Sequence, residues 1–126
     1  MMTVMTSAIE RYLAAVNSLD RAAYLACFSP EAMVLDPYGG RPFQGQEGLD
    51  KFFNGMERTW QSFTMTADRP YVSGNRVAFA WSVRAMAKSG KTADFAGINV
   101  LTVGEDGLIT QLEGYWDMGA MIAQIK

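Results

Sequence analysis

The back half of the chain is punctuated by three short polar turns, Ser73-Gly74-Asn75, Ser89-Gly90 and Asp106-Gly107, set between long segments rich in valine, isoleucine and aromatic residues. Glycine in such turns supplies the positive φ that a tight hairpin needs, and the alternating flanks carry the two-residue period of a strand. Strands are predicted at 63–66, 70–73, 76–88, 92–103 and 108–117. Strands joined by links this short pair antiparallel, because a parallel crossover needs a dozen residues or more. The second half of the molecule is thereby constrained to a meander.

The first half is helical. Ile9, Tyr12, Leu13, Val16 and Leu19 recur at intervals of three and four, which predicts an amphipathic helix over 6–19, with Ser7 and Glu10 as a capping box. Asp20 is the expected cap of a second helix over 21–28, with Leu19 and Tyr24 at the staple positions. A third helix is predicted over 46–58, where Leu49, Phe52, Phe53 and Met56 share a face, and Met118 to Ile125 reads as a short amphipathic tail. Helices followed by a meander, without strand and helix alternation, indicate an α+β domain whose curved antiparallel sheet wraps three N-terminal helices.

The turns also assign the sheet's faces. If Ser89-Gly90 and Asp106-Gly107 are two-residue turns, Lys88 pairs with Lys91 and Glu105 with Leu108, so that Asn99 lies opposite both Ala80 and Gly114. One face then gathers Ala80, Ser82, Arg84, Met86, Phe95, Gly97, Asn99, Leu112, Gly114 and Trp116. Small residues mixed with an amide, a guanidinium and an indole suit the wall of a pocket for a small apolar ligand. The other face gathers Val77, Phe79, Trp81, Val83, Ile98, Val100, Ile109 and Tyr115. Helices can cover one side of the sheet only, so a second copy of the chain is the expected cover, making a homodimer. The opposite assignment, with the second face on the helices and the first toward solvent, is the alternative.

At 126 residues the chain has room for one domain, 1–126, with a sizeable core. A net charge of -2 and no basic stripe speak against nucleic acid, and no apolar stretch approaches the ~20 residues of a membrane span. The N-terminus lacks a charged-then-apolar signal pattern, so the chain reads as cytoplasmic. There is no histidine, and Cys27 is the single cysteine. Ser-His-Asp triads, Cys-His pairs and the usual zinc sites are therefore excluded, no metal site is expected, and proton transfer must rest on Asp, Glu, Tyr, Lys or Arg.

Among these, Asp36 stands out. It ends the apolar run Ala32-Met33-Val34-Leu35 and precedes Pro37-Tyr38-Gly39-Gly40-Arg41-Pro42. Pro37 holds it to extended dihedrals where strand gives way to loop. A carboxylate so placed can be half-desolvated and aimed into a cavity as a general base, or it can cap the loop's own amides. Tyr12, on the apolar face of the first helix, is either core filler with a satisfied hydroxyl or a functional phenol.

Tyr12, Asp36-Pro37-Tyr38-Gly39 with Gln44-Gly45-Gln46-Glu47 after it, and Gly107-Leu108-Ile109 leading to Gly114-Tyr115-Trp116, in that order and spacing, resemble the ketosteroid isomerase branch of the nuclear-transport-factor-2-like (SnoaL-like) superfamily. The resemblance covers most of the chain and implies a cone-shaped fold with an internal pocket. It implies that Asp36 is the base that moves a proton between carbons and that Tyr12 donates to the enolate oxygen. Asn99 matches the second donor, a protonated carboxyl in the family, and Trp116 and Phe53 match cavity-lining positions. No cofactor is implied. Arg84 departs from the pattern, since the register puts a cation on the pocket wall. It can pair with Asp36, bind an anionic group on the ligand, or snorkel to the rim. Three functions stay open: a steroid delta-isomerase-like enzyme, a polyketide cyclase or dehydratase using the same base, and a non-catalytic small-molecule-binding dimeric module. In each, the ligand contacts expected are Phe53, Arg84, Met86, Phe95, Leu112 and Trp116.

Overall fold

The computed structural model describes residues 2–126. Helices α1 (Met2–Asn17) and α2 (Arg21–Ala26) come first, then β1 (Phe28–Leu35), the two-residue β2 (Phe43–Gln44) and α3 (Gly45–Thr59). The strands β3 (Trp60–Ala67), β4 (Tyr71–Ser73), β5 (Arg76–Ala87), β6 (Thr92–Val103) and β7 (Ile109–Tyr115) follow, and α4 (Met118–Ile125) closes the chain. This is the α+β architecture expected, a curved and unclosed sheet with N-terminal helices. The strand order is β2-β1-β7-β6-β5-β3, with β4 paired to β5. β1 runs parallel to β7, with Val34 opposite Leu112, and the other pairs are antiparallel. No helix among the described residues is long and apolar enough to cross a membrane.

α1 begins at Met2 and not near Ser7, because Met5 and Ala8 extend the buried stripe of Ile9, Tyr12 and Val16 backward. Ser7 is thus inside the helix, where it cannot form the expected capping box. At the other end the Asn17 side chain donates to Met65 O at 3.1 Å and accepts from Met65 N at 2.6 Å, which fastens α1 to β3. Asp20 caps α2 as expected, accepting from Ala23 N at 3.1 Å. α2 stops at Ala26, two residues short of Phe28, because Cys27 O accepts from Ile109 N at 2.9 Å and draws the chain into β1.

The first hairpin corrects the predicted register. Ala87 N donates to Lys91 O at 2.8 Å, so the loop is the three residues Lys88-Ser89-Gly90, with Gly90 at φ 93. A two-residue primed turn would ask Ser89 for a positive φ, whereas a three-residue loop asks it of the glycine alone. The extra residue slides β5 by one, placing Asn99 opposite Phe79 instead of Ala80, and a slip of one exchanges the faces of the whole strand. Val77, Phe79, Trp81 and Val83 point into the core. Arg84 and Met86 point out: the Arg84 side chain is 69% exposed and pairs with Asp94 at 2.9 Å, and Met86 is 39% exposed. The expectation that they share a pocket wall with Asn99 is overturned.

The second hairpin has the same three-residue form, with Gly104 N donating to Leu108 O at 2.9 Å and Gly107 at φ 82. Here a bulge between Val103↔Ile109 and Thr102↔Gln111 takes up the extra residue and restores the expected pairing of Asn99 with Gly114. The bulge also turns Ile109 into the core. Ile98, Val100 and Tyr115 remain on the outer surface, so the apolar face assigned to a second copy is in fact divided between core and exterior.

Candidate active site

Asp36 follows directly on the last residue of β1, Leu35, and is partly buried, and the Asp36–Pro37 peptide is cis. Tyr38 N donates to Gly114 O at 2.7 Å, which holds the loop against β7. The carboxylate lies over Gly114, where a Cβ would stand 2.3 Å from Asp36 Oδ1 and 3.1 Å from Asn99 Oδ1. Only a residue without a side chain leaves that space free. From the far side Trp116 Nε1 donates to Asp36 Oδ1 at 2.6 Å. Burial raises the carboxyl pKa from 3.8 to about 6, and the Trp116 hydrogen bond, which favours the ionised form, restrains the rise.

Tyr12 from α1 and Asn99 from β6 are both buried. Asn99 Nδ2 donates to the Tyr12 hydroxyl at 3.4 Å, and Trp81 Nε1 donates to Asn99 Oδ1 at 2.9 Å. Burial first, and the charge of Asp36 second, push the Tyr12 phenol well above its ordinary range, so it keeps its proton at neutral pH.

Tyr12, Asp36 and Asn99 open onto one cavity of about 50 Å3, walled by Phe52, Trp60, Phe63, Trp81, Phe95 and Trp116 and completed by Val16, Met56, Met65 and Met121. Phe95 stacks on Trp116 at 5.3 Å between centroids and meets Trp81 edge-to-face at 6.0 Å. A hollow of this size admits water-sized guests and is too small for a ring-containing ligand without movement of its wall. The three methionines, each with several rotatable bonds, are the part of the wall best able to move aside for a larger guest.

Of the residues expected here, Asp36, Tyr12, Asn99, Phe95 and Trp116 line the cavity. Phe53, Arg84, Met86 and Leu112 do not. Phe53 is fully buried against Tyr24, 5.0 Å between centroids, because one step along α3 turns it away and leaves Phe52 at the cavity. Leu112 faces inward but is core, opposite Leu101. With Arg84 bound to Asp94 on the outer face, Asp36 has no cationic partner among the described residues. Trp81 was missed as a site residue. Its signal was the run Val77-x-Phe79-x-Trp81-x-Val83, whose alternation marks a core-facing strand face whatever the turn. Nor was the part played by Gly114 foreseen.

Gly114→Ala is expected to expel the Asp36 carboxylate toward water while β7 stays paired. The carboxyl pKa should fall from about 6 toward 3.8 as its desolvation is relieved. The Trp116 indole N–H resonance should shift as its acceptor is lost. Carboxyl titration by carbon NMR checks this, and an unchanged pKa would show that the carboxylate does not need the space over Gly114.

The SnoaL-like domain family model matches residues 9–112. A curated steroid Delta-isomerase from Nocardioides simplex is 30% identical over 117 residues, covering 92% of each chain. The crystal structure of Delta 5-3-ketosteroid isomerase from Mycobacterium sp. superposes with a TM-score of 0.82 at 25% identity, over 94% of this chain and 96% of that one. RV0760c from Mycobacterium tuberculosis, solved with estradiol-17beta-hemisuccinate, gives 0.81 at 22% identity, over 93% and 96%.

Proposed function

The chain belongs to the SnoaL-like domain family, and from that premise we propose that it is a cofactor-independent isomerase acting on an apolar, ring-containing unsaturated ketone. One observation carries this reading. Asp36, a carboxylate with no cationic partner among the described residues and a pKa raised to about 6, shares an aromatic-walled cavity with the donors of Tyr12 and Asn99. A base near the working pH and oxyanion donors are the two parts that enolisation requires.

In the reaction proposed, the Asp36 carboxylate removes a proton from the carbon alpha to the ketone. The C–H electrons form the enolate, whose oxygen accepts from Tyr12 O–H and Asn99 Nδ2–H. The carbonyl re-forms as Asp36 returns the proton to the far end of the double bond, so substrate and product have the same composition. The 30% identical steroid Delta-isomerase supports this substrate class. The test is ultraviolet absorbance during incubation with a panel of cyclic β,γ-unsaturated ketones. Growth of the conjugated enone band is expected. Binding without any band across the panel would return the chain to the binding-module reading.

Self-association through the outer sheet face is part of the proposal, now carried by Ile98, Val100 and Tyr115, the last stacked on Tyr38 at 5.5 Å. Light scattering should give twice the 13.9 kDa chain mass, and a monomeric mass at micromolar concentration would refute it.

A further inference from the structure

We infer that Trp81 is a positioning residue: its indole N–H fixes the Asn99 amide so that Tyr12 and Asn99 offer only hydrogen-bond donors to a ligand oxygen. The inference rests on the oxyanion-binding reading above and identifies what makes an amide workable there.

An indole N–H can donate and cannot accept. The Asn99 atom 2.9 Å from Trp81 Nε1 is therefore the carbonyl Oδ1, and the NH2 is left to face Tyr12, whose hydroxyl oxygen accepts from it at 3.4 Å. A phenol that accepts from the amide retains its own proton, and among the described residues Tyr12 O–H donates to no protein atom. Turned the other way, Oδ1 would take the Tyr12 proton while the NH2 opposed the indole N–H, donor against donor. Both oxyanion donors would be compromised by one rotation. Asn99 is 1% exposed and Trp81 4%, so bulk water cannot rescue the wrong orientation.

The backbone makes room for this arrangement. Trp81 lies across from Gly97 on β6, where a Cβ would come within 2.8 Å of Trp81 Cζ2. The bare backbone lets the indole lie over β6 and reach Asn99, two residues along. Phe95 and Trp116 hold its edges.

The test uses 4-nitrophenol, whose phenolate is visible by absorbance, and nitrobenzene, which has the ring and nitro group without the oxyanion. Because Trp81 also walls the cavity, both probes lose contact in Trp81→Phe, but 4-nitrophenolate is expected to weaken about tenfold to a hundredfold more than nitrobenzene, the range for a hydrogen bond to a charged group. In an Asn99→Ala background the same substitution should cost the phenolate nothing further. In the ligand-free protein the Asn99 side-chain NH2 resonances should move in Trp81→Phe. Where Trp81→Phe fails to fold, Trp81→benzothienylalanine removes only the N–H and serves the same comparison.

Equal losses for the two probes, an undiminished loss in the Asn99→Ala background, or unmoved NH2 resonances would each overturn the positioning role. Tyr12→Phe separates this from a failure of the functional reading. Phenolate affinity that depends on Tyr12 and Asn99 but not on Trp81 sinks the positioning role alone. Affinity indifferent to Tyr12 and Asn99 sinks both.

Discussion

Asp36→Asn is expected to lower turnover by about two to four orders of magnitude, the scale of a lost general base, and at the same time to stabilise the fold at pH 8. The two effects share one cause. The folded chain raises the Asp36 pKa from 3.8 to about 6 by burying the carboxyl, so the protonated form is the one the fold favours. Its stabilising contribution is fully present below the unfolded pKa of 3.8 and is lost as pH rises through about 6. Above that point the protein carries a partly desolvated charge that asparagine would not. At about 1.4 kcal/mol per pKa unit, discounted for partial exposure, the gain is about 1–2 kcal/mol at pH 8 and vanishes below pH 4. Urea midpoints at the two pH values check it. The parental rate should rise with pH through about 6 and then level. A variant turning over at the parental rate would end the isomerase assignment, whereas one that does not fold would show Asp36 to be a loop cap.

Tyr12→Phe should cost about 3 kcal/mol of transition-state stabilisation, the scale of one oxyanion donor, or roughly a hundredfold in single-turnover rate. The ring keeps its packing on Tyr24, at 6.2 Å between centroids, so the fold should be little affected. Because burial holds the Tyr12 proton in place, the loss should not depend on pH between 6 and 9. Asn99→Ala should cost less in rate, since a neutral amide is the weaker donor. Its cost in stability should be the greater, because it strands the buried Trp81 N–H without an acceptor. A Tyr12→Phe rate equal to the parent's would remove the phenol from the chemistry.

How far the site was legible follows from turn length. Tyr12 and Asp36 could be placed because helical spacing and a strand ending at proline are local signals. Asn99, Phe95 and Trp116 could be placed because the bulge in β7 cancels the residue added by the second hairpin. The first hairpin has no such compensation, so a two-residue turn there implies Arg84 and Met86 inward and Trp81 outward, the reverse of what the three-residue loop produces. Gly90 would have served either loop length; only the reluctance of Ser89 to adopt a positive φ favours the longer one. Phe52 and Phe53 share an apolar helix face, and the sequence alone does not say which meets α2. The parallel pairing of β1 with β7 joins residues some 80 positions apart, beyond any turn's reach.

The chain has three tryptophans, and all three, Trp60, Trp81 and Trp116, stand around the one cavity. Two have their N–H groups bound to site residues, Trp116 to Asp36 and Trp81 to Asn99. Intrinsic fluorescence of this protein is consequently emission from the site itself, with no distant indole to dilute it. Ionisation of Asp36, or entry of a guest among the rings, should alter the quantum yield or wavelength of the whole signal, which gives an optical assay before any substrate is known.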